Sequence, residues 1–249
     1  MTDFSKTLIH CSSLSKITTE PKSKADRDAG NLSETAKSHL IEVYALNKYN
    51  FKKDISNKYT EKGNYCEPEG LEMISQFTGL QVDKNELTFE NEYLIGTPDS
   101  LVIDRQIIFD NKSSWDWLTF LSNIDGELDN TYYCQMQGYL DLLQWDTGYI
   151  AYTLIDTPES IRNDLKRQLF YKSNGKYLTE ESPAFLREWE QKESNLIFSN
   201  RPLEERILLF EVKKDEEYLE KARKKVEKSR IFLQEFNEKH KNFNNNYKF

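Results

Sequence analysis

Two carboxylates and a lysine lie close together in the segment 96–112, and their types suit phosphodiester chemistry. This segment reads as two short strands joined by a tight turn at residues 104–106. Side chains of a strand alternate between its two faces, so Asp110 and Lys112 point the same way. The hairpin would bring Asp99 beside them. Two carboxylates and an ammonium group at the end of a small sheet form a site for a divalent metal ion and an anionic substrate.

Helices and strands with recognisable boundaries surround this hairpin. Ser33 is a good N-cap residue, and the apolar spacing after it predicts a helix to about Tyr49. A second helix is predicted from about Asn64 to Thr78, and it carries Glu67 on its apolar, inward stripe. The other elements predicted before residue 200 are strands over 87–90, 93–95 and 149–155 and helices over 114–120, 130–144, 158–172 and 183–197.

The C-terminal part of the chain predicts one strand, over 206–212, and one long helix. Asp215 caps this helix, which runs to about Lys239. Apolar and small residues recur along it at alternating spacings of three and four, which forms a narrow seam. The seam consists of Leu219, Ala222, Val226, Ser229, Leu233 and Phe236. It either packs on its own domain or serves an interface between copies of the chain.

We divide the chain into four parts. Residues 1–31 are rich in Ser, Thr, Lys and Asp without sustained periodicity, which predicts a mobile or partly ordered arm. Residues 32–200 are predicted to form the main domain. Residues 201–241 supply the C-terminal strand and long helix, packed on that domain or extending it. Residues 242–249 are predicted to be a disordered tail.

Composition limits the kind of protein and its compartment. The chain has 249 residues, of which 37% are hydrophobic, and this suits one α/β domain with appendages. Its three cysteines have no paired or C-x-x-C spacing, which argues for a reducing compartment and against a zinc or iron–sulfur site. No run of eighteen apolar residues and no signal-peptide pattern occurs, so we expect a cytoplasmic protein without a membrane partner.

The net charge of −8 is unusual for a protein that binds nucleic acid. Residues 201–249 nevertheless carry 13 Lys and Arg against 10 Asp and Glu, so the acidic excess lies in residues 1–200. Each phosphate contact acts over a Debye length of about 8 Å, and a local basic track is sufficient. The overall charge does not exclude a DNA substrate.

Three motifs together resemble the PD-(D/E)xK nuclease superfamily. Its signature matches Pro98-Asp99 followed by Asp110-Asn111-Lys112. Upstream, Gly63 to Pro68 is similar to the Gly-x-x-x-Glu-Pro helix start of the YqaJ and phage lambda exonuclease branch. Downstream, Gln135 to Tyr139 is similar to the Gln-x-x-x-Tyr helix that this branch shares with RecB-type nucleases. The order and spacing of the motifs carry the resemblance more than any single motif does.

The resemblance implies a fold and a metal site. The fold would be α/β with a restriction-endonuclease-like core, a mixed central sheet flanked by helices in the order αβββαβ, followed here by a long C-terminal helix. The cofactor would be Mg²⁺, with Mn²⁺ as a substitute. Its ligands would be Glu67, Asp99, Asp110 and the main-chain carbonyl of Asn111. Lys112 would orient or deprotonate the attacking water, or stabilise charge on the phosphate.

The resemblance also implies roles for three other residues. Gln135 and Tyr139 are four apart on one helix face, where they would support the site or contact the nucleic acid. Simple core packing is an equally good interpretation of Tyr139. Arg27 is placed much as the arginine that binds the terminal 5′ phosphate in lambda-type exonucleases.

The function implied is that of a phage or prophage recombination exonuclease in a bacterial host. Such an enzyme degrades linear double-stranded DNA from its 5′ ends, has a single-strand annealing protein as partner and forms a homotrimer. One alternative is a structure-specific or restriction-like endonuclease with the same metal site, although we find no separate specificity domain. A second alternative is a non-catalytic module that binds DNA ends. An intact set of Glu67, Asp99, Asp110 and Lys112 argues against it.

Overall fold

A computed structural model describes residues 3–53, 57–124 and 126–245, and it shows a mixed α/β architecture. The strands are β1 (Ile9–His10), β2 (Phe89–Glu90), β3 (Leu94–Gly96), β4 (Ser100–Val102), β5 (Ile107–Ser113), β6 (Thr147–Thr153) and β7 (Ile207–Lys213). The α-helices are α1 (Leu14–Thr18), α2 (Lys24–Asp28), α3 (Glu34–Tyr49), α4 (Lys58–Thr78), α5 (Trp117–Leu121), α6 (Asn130–Leu143), α7 (Glu159–Lys172), α8 (Pro183–Glu193) and α9 (Glu216–Asn245).

The larger sheet has the strand order β4-β5-β6-β7 and is mixed. Strand β5 pairs antiparallel with β4 and parallel with β6, while β6 pairs antiparallel with β7. Strand β4 is connected to β5 by a 3-10 turn at Ile103–Arg105 and by Gln106, whose φ angle is 55°. The predicted hairpin is therefore confirmed. Residues 108–111 of β5 are buried, so this strand lies in the interior of the molecule.

The smaller sheet joins the first described residues to the rest of the fold, and it corrects the predicted arm. Its order is β1-β3-β2, with β1 parallel to β3. Phe4, Ile9, Leu14 and Ile17 are all buried in the main hydrophobic core. The expectation of a mobile arm over residues 1–31 is wrong for residues 4–17, whereas residues 22–29 are exposed. Its helices and strand are too short to show periodicity, yet their few apolar side chains fill the core.

Helix α4 begins earlier than predicted. Asn57 caps it by accepting hydrogen bonds from the backbone amides of Tyr59 and Thr60, and Thr60 completes a capping box. The helix therefore starts before Asn64, and Pro68 lies inside it and not in its first turn. Its predicted end is confirmed, because Gly79 follows in the left-handed conformation at φ 70°.

The seam of the long C-terminal helix packs within the chain. Leu219, Ala222, Val226, Ser229 and Leu233 are buried, and α9 lies against α1 and α3. The seam is thus covered by the chain's own helices and is not available to a second copy. The helix continues to Asn245, into the region predicted as a disordered tail from residue 242, while residues 246–249 lie outside the described residues.

The remaining helices agree with their predicted positions apart from their ends. Asp116, and not Ser114, caps α5 by accepting a hydrogen bond from the Thr119 amide at 2.9 Å. Helix α8 ends at Glu193, where a 3-10 turn replaces its predicted last residues. None of the helices that the structure describes combines the length and the apolar character needed to cross a bilayer.

Candidate active site

The hairpin brings Asp99, Asp110 and Lys112 together at one point of the larger sheet. Asp110 lies on β5 and is fully buried. The Lys112 Nζ atom lies 2.5 Å from Asp110 Oδ2. Asp99 directly precedes β4, and its Oδ2 accepts a hydrogen bond from the Asn111 backbone amide at 2.9 Å. Two carboxylates and one ammonium group therefore form a single cluster, which we call the acidic cluster.

Burial and mutual repulsion control the protonation of the acidic cluster. Burial, together with the charge of Asp110, raises the pKa of Asp99 to about 7, against the opposing effect of Lys112. Burial alone would lower the pKa of Lys112, but the charges of Asp110 and Asp99 outweigh it and raise that pKa. Lys112 thus remains an ammonium ion at neutral pH. This favours a role in stabilising negative charge over a role as general base.

The donor set of the acidic cluster fits a hard divalent cation. Asp110 Oδ2 is buried and lies against the Lys112 ammonium, but it has no donor in hydrogen-bond geometry among the described residues. An oxygen of this kind retains a lone pair for a metal ion. Asp99 offers a second carboxylate. In the described ranges, however, no group of three or more His, Cys, Asp or Glu side chains is gathered closely enough to form a metal cage.

Glu67 lies at the rim of the acidic cluster and is not joined to it. Its side chain is 24% exposed, and its Oε1 atom lies 3.0 Å from the Nζ atom of Lys84. The charge of Glu67 still contributes to the raised pKa of Asp99, after the larger effects of burial and of Asp110. Sequence reasoning missed Lys84, since it lies in a loop and belongs to no motif. A search for lysines in the part of the chain before Asp99 would have found it.

Gln135 and Tyr139 support the acidic cluster through a chain of hydrogen bonds. The Gln135 Nε2 atom donates to Asp110 Oδ1 at 3.3 Å and to the Tyr139 hydroxyl at 2.8 Å. The Tyr139 hydroxyl donates in turn to the carbonyl oxygen of Thr97 at 3.2 Å. Both side chains are buried, and burial raises the pKa of Tyr139. Their position agrees with the predicted supporting role and leaves little surface for a contact with nucleic acid.

The Asn111 side chain anchors the strand that carries Asp110. Its Oδ1 atom accepts a hydrogen bond from Thr153 Oγ1 at 2.8 Å, and its Nδ2 atom donates to Ser113 Oγ at 3.3 Å. Thr153 ends β6, the parallel neighbour of β5. The side chain is therefore engaged in the sheet, and only the main-chain carbonyl of Asn111 is available as a metal ligand.

The structure does not bring Arg27 into the contacts of the acidic cluster. Arg27 lies on the short helix α2, where its guanidinium donates to the carbonyl oxygens of Pro21 at 2.9 Å and Lys22 at 2.6 Å. These contacts join Arg27 to the residues just before its own helix. A loose sequence match placed this arginine correctly before α3 but could not show where its side chain points.

Comparison with known proteins places the fold among nucleases. No family model and no curated protein sequence matches the chain. The crystal structure of a phage-related exonuclease from Haemophilus somnus 129PT is 28% identical, with a TM-score of 0.76 over 94% of this chain and 97% of that one. The alkaline exonuclease LHK-Exo from Laribacter hongkongensis has the same fold, at 12% identity and a TM-score of 0.64 over 97% and 95% of the two chains. The resemblance inferred from the motifs is thus confirmed, and the chain is similar to exonucleases of the YqaJ and phage lambda type.

Proposed function

We propose that this protein is a metal-dependent DNA exonuclease that hydrolyses phosphodiester bonds of linear double-stranded DNA. The buried cluster of Asp99, Asp110 and Lys112 is the observation that carries the proposal. It lies in a chain that is similar, over nearly its whole length, to a phage-related exonuclease. A central sheet of the restriction-endonuclease kind is part of the same proposal.

Mg²⁺, with Mn²⁺ as a substitute, would be held by Asp99, Asp110, the Asn111 carbonyl and Glu67. When bound, such an ion neutralises charge on the phosphate and activates water. The chain's own residues prepare this site. Asp99 loses its proton near neutral pH, Gln135 fixes the orientation of Asp110, and the Lys112 ammonium stabilises the charge that grows on the phosphate in the transition state.

The direction and biological setting are finer parts of the proposal. We propose 5′-to-3′ digestion in phage-type recombination, a single-strand annealing protein as partner and a homotrimer as the working assembly. The name of the Haemophilus protein supports the phage setting, and LHK-Exo has been crystallised with dAMP, a nucleotide that fits a product of DNA hydrolysis. Because the α9 seam is covered, an interface between copies would use another surface.

The test compares linear with closed circular plasmid DNA, each with and without Mg²⁺. We expect digestion of linear DNA alone, and only with the metal ion. Asp110→Asn should abolish digestion, and Lys112→Ala should lower kcat by about a thousandfold or more while DNA binding persists, because the lysine acts mainly in the transition state. Full activity of the Asp110 variant would refute the assignment of the site.

The same assay separates the alternatives. Nicking of closed circles as fast as digestion of ends would identify an endonuclease. Binding of DNA ends without hydrolysis in Mg²⁺ or Mn²⁺ would identify a non-catalytic module. Duplexes with a 5′ phosphate or a 5′ hydroxyl test the polarity, and Arg27→Ala tests whether this arginine reads the terminal phosphate as the resemblance implies.

A further inference from the structure

Lys84 is held beside the acidic cluster by its backbone. It forms an antiparallel bridge with Ser100, the first residue of β4. The next residue, Asn85, donates from its backbone amide to the carbonyl oxygen of Asp99 at 2.8 Å and from its side chain to the carbonyl oxygen of Pro98 at 2.9 Å. The loop that carries Lys84 is thus attached directly to the segment that carries Asp99.

The side chain of Lys84 is far more exposed than that of Lys112. Lys84 is 52% exposed and pairs with Glu67, whereas Lys112 is 21% exposed and lies between Asp110 and the Tyr132 ring, 4.9 Å from its centroid. An ion pair as exposed as that of Lys84 and Glu67 contributes little to stability. A half-exposed ammonium on a fixed loop at the edge of a catalytic cluster is well placed to meet an anion from solvent.

The negative charge of the site disfavours DNA binding unless a nearby cation offsets it. The three carboxylates of Asp99, Asp110 and Glu67 repel a DNA backbone, and Lys112 is already committed to Asp110. If Glu67 turns to the metal ion, as the proposed function requires, the Lys84 ammonium loses its partner. The charges of Glu86 and Asp99 also reach Lys84, but among the described residues only Glu67 forms an ion pair with it, so a phosphate of the bound DNA can take the place of Glu67.

We infer that Lys84 is a substrate-binding residue that pairs with Glu67 in the free protein and contacts a DNA backbone phosphate next to the scissile bond in the complex. This inference rests on the proposed function. Lys84 lies in a loop outside the three motifs, and its positive charge would offset the negative charge of the site. Glu67 is then the carboxylate that holds this lysine until substrate and metal bind.

The chain supplies a closely matched control. Lys176 pairs with Glu188 at 3.0 Å and is 64% exposed, so its ion pair resembles that of Lys84 and Glu67 in length and exposure. It lies between α7 and α8, and its partners in the described part of the chain are Glu188 and Tyr177, which do not belong to the acidic cluster. Lys84→Ala and Lys176→Ala therefore remove the same charge from ion pairs of similar exposure.

The experiment measures binding of a short linear duplex to the full-length protein in Ca²⁺, and cleavage in Mg²⁺. Lys84→Ala should weaken binding several-fold, raise KM more than it lowers kcat, and reduce the slope of log affinity against log salt by about one. Lys84→Arg should keep the wild-type slope. Equal behaviour of Lys84→Ala and Lys176→Ala would overturn the inference.

A neutral methylphosphonate, placed at one phosphate at a time, separates direct contact from a general loss of positive charge. One position near the end should weaken wild-type binding and leave Lys84→Ala unaffected. If the variant responds at every position as the wild type does, Lys84 makes no phosphate contact. Should the protein show the contact but no cleavage, the proposed function fails and the contact stands. If the protein cleaves DNA while Lys84→Ala and Lys176→Ala behave alike, the proposed function stands and the Lys84 contact fails.

Discussion

Gly70 of α4 lies directly against the side chain of Asn111 on β5. A Cβ atom added at Gly70 would lie 2.2 Å from Asn111 Nδ2 and 2.6 Å from Cγ, far inside contact distance. The Asn111 amide resists displacement because it is hydrogen-bonded to Thr153 and Ser113. Glycine therefore lets the helix approach the strand. Glu67 lies one helical turn away, so this contact sets its distance from Asp99 and Asp110.

Gly70→Ala should impair the site more than the fold. The added methyl group pushes α4 away from β5, and overpacking of this kind typically costs about 1–3 kcal/mol. A displacement near 1 Å at a catalytic group lowers the rate by about a hundredfold. We expect a modest drop in the Tm by calorimetry and a large drop in kcat with Mg²⁺. Wild-type kcat in this variant would show that the spacing is unimportant.

A second substitution should rescue Gly70→Ala. Asn111→Ala removes the three atoms that would lie nearest to the new methyl group and retains the main-chain carbonyl. The double variant should therefore recover the kcat of Asn111→Ala alone. If instead the two losses add, α4 is not displaced by this contact, and Gly70 matters for another reason.

Tyr139→Phe should reduce turnover without reducing affinity for DNA. The hydroxyl joins Gln135 to the carbonyl of Thr97, so its loss loosens the hydrogen bond that orients Asp110. We expect a loss of about 1 kcal/mol in the free energy of unfolding and a several-fold lower kcat. Urea unfolding and steady-state kinetics measure these changes. A rise in KM with unchanged kcat would point to a nucleic-acid contact.

Mg²⁺ binding should strengthen as the pH rises towards neutrality. The pKa of Asp99 in the folded protein is about 7, so at pH 6 the metal ion must displace its proton. Calorimetric titration in two buffers of different ionisation enthalpy should show about one proton released per Mg²⁺ at pH 6 and almost none at pH 8. Release of no proton at pH 6 would contradict the raised pKa.

The metal-free protein should show the opposite trend in stability. Asp99 binds its proton more tightly in the folded chain than in the unfolded one, where its pKa is near 4. Its contribution therefore makes the fold less stable as the pH rises from about 4 to about 7, and is constant above that range. Asp99→Asn should remove this component. Urea midpoints at several pH values in EDTA measure the difference between the variant and the wild type.

Leu14→Ala tests the structural role of the first thirty residues. Leu14 is fully buried in the core, and truncation of such a leucine costs about 2–5 kcal/mol. Leu178, which is 95% exposed, provides the control, and Leu178→Ala should leave the urea midpoint within error of the wild type. Equal midpoints for the two variants would restore the idea of a mobile arm.

The sequence was most informative where a local pattern determines the geometry. Alternation along β5 and a tight turn were enough to place Asp99 beside Asp110 and Lys112, since neighbouring strands of a hairpin have only a few possible registers. The ends of α3 and α4 followed from Ser33 and Gly79, whose cap conformations depend on their own residue types.

Contacts between distant segments were beyond the sequence. Phe4 is a single apolar residue among polar ones and Ile9 has only Leu8 beside it, so only the surfaces of later helices explain their burial. The pairing of Glu67 with Lys84 requires the loop after α4 to return along Pro98 and Asp99. Gly70 carries no side chain, and its role becomes visible only when Asn111 is placed opposite.

The packing of α1 against α9 has a consequence for synthesis of the protein in the cell. Leu14 leaves the ribosome more than 200 residues before Val226 and Leu233, the side chains that share its core. At a translation rate of about 5–20 residues per second, roughly 10 to 40 seconds pass between the synthesis of Leu14 and that of these partners. The native core therefore cannot close until α9 has been synthesised, and until then the apolar side chains of α1 lack these partners.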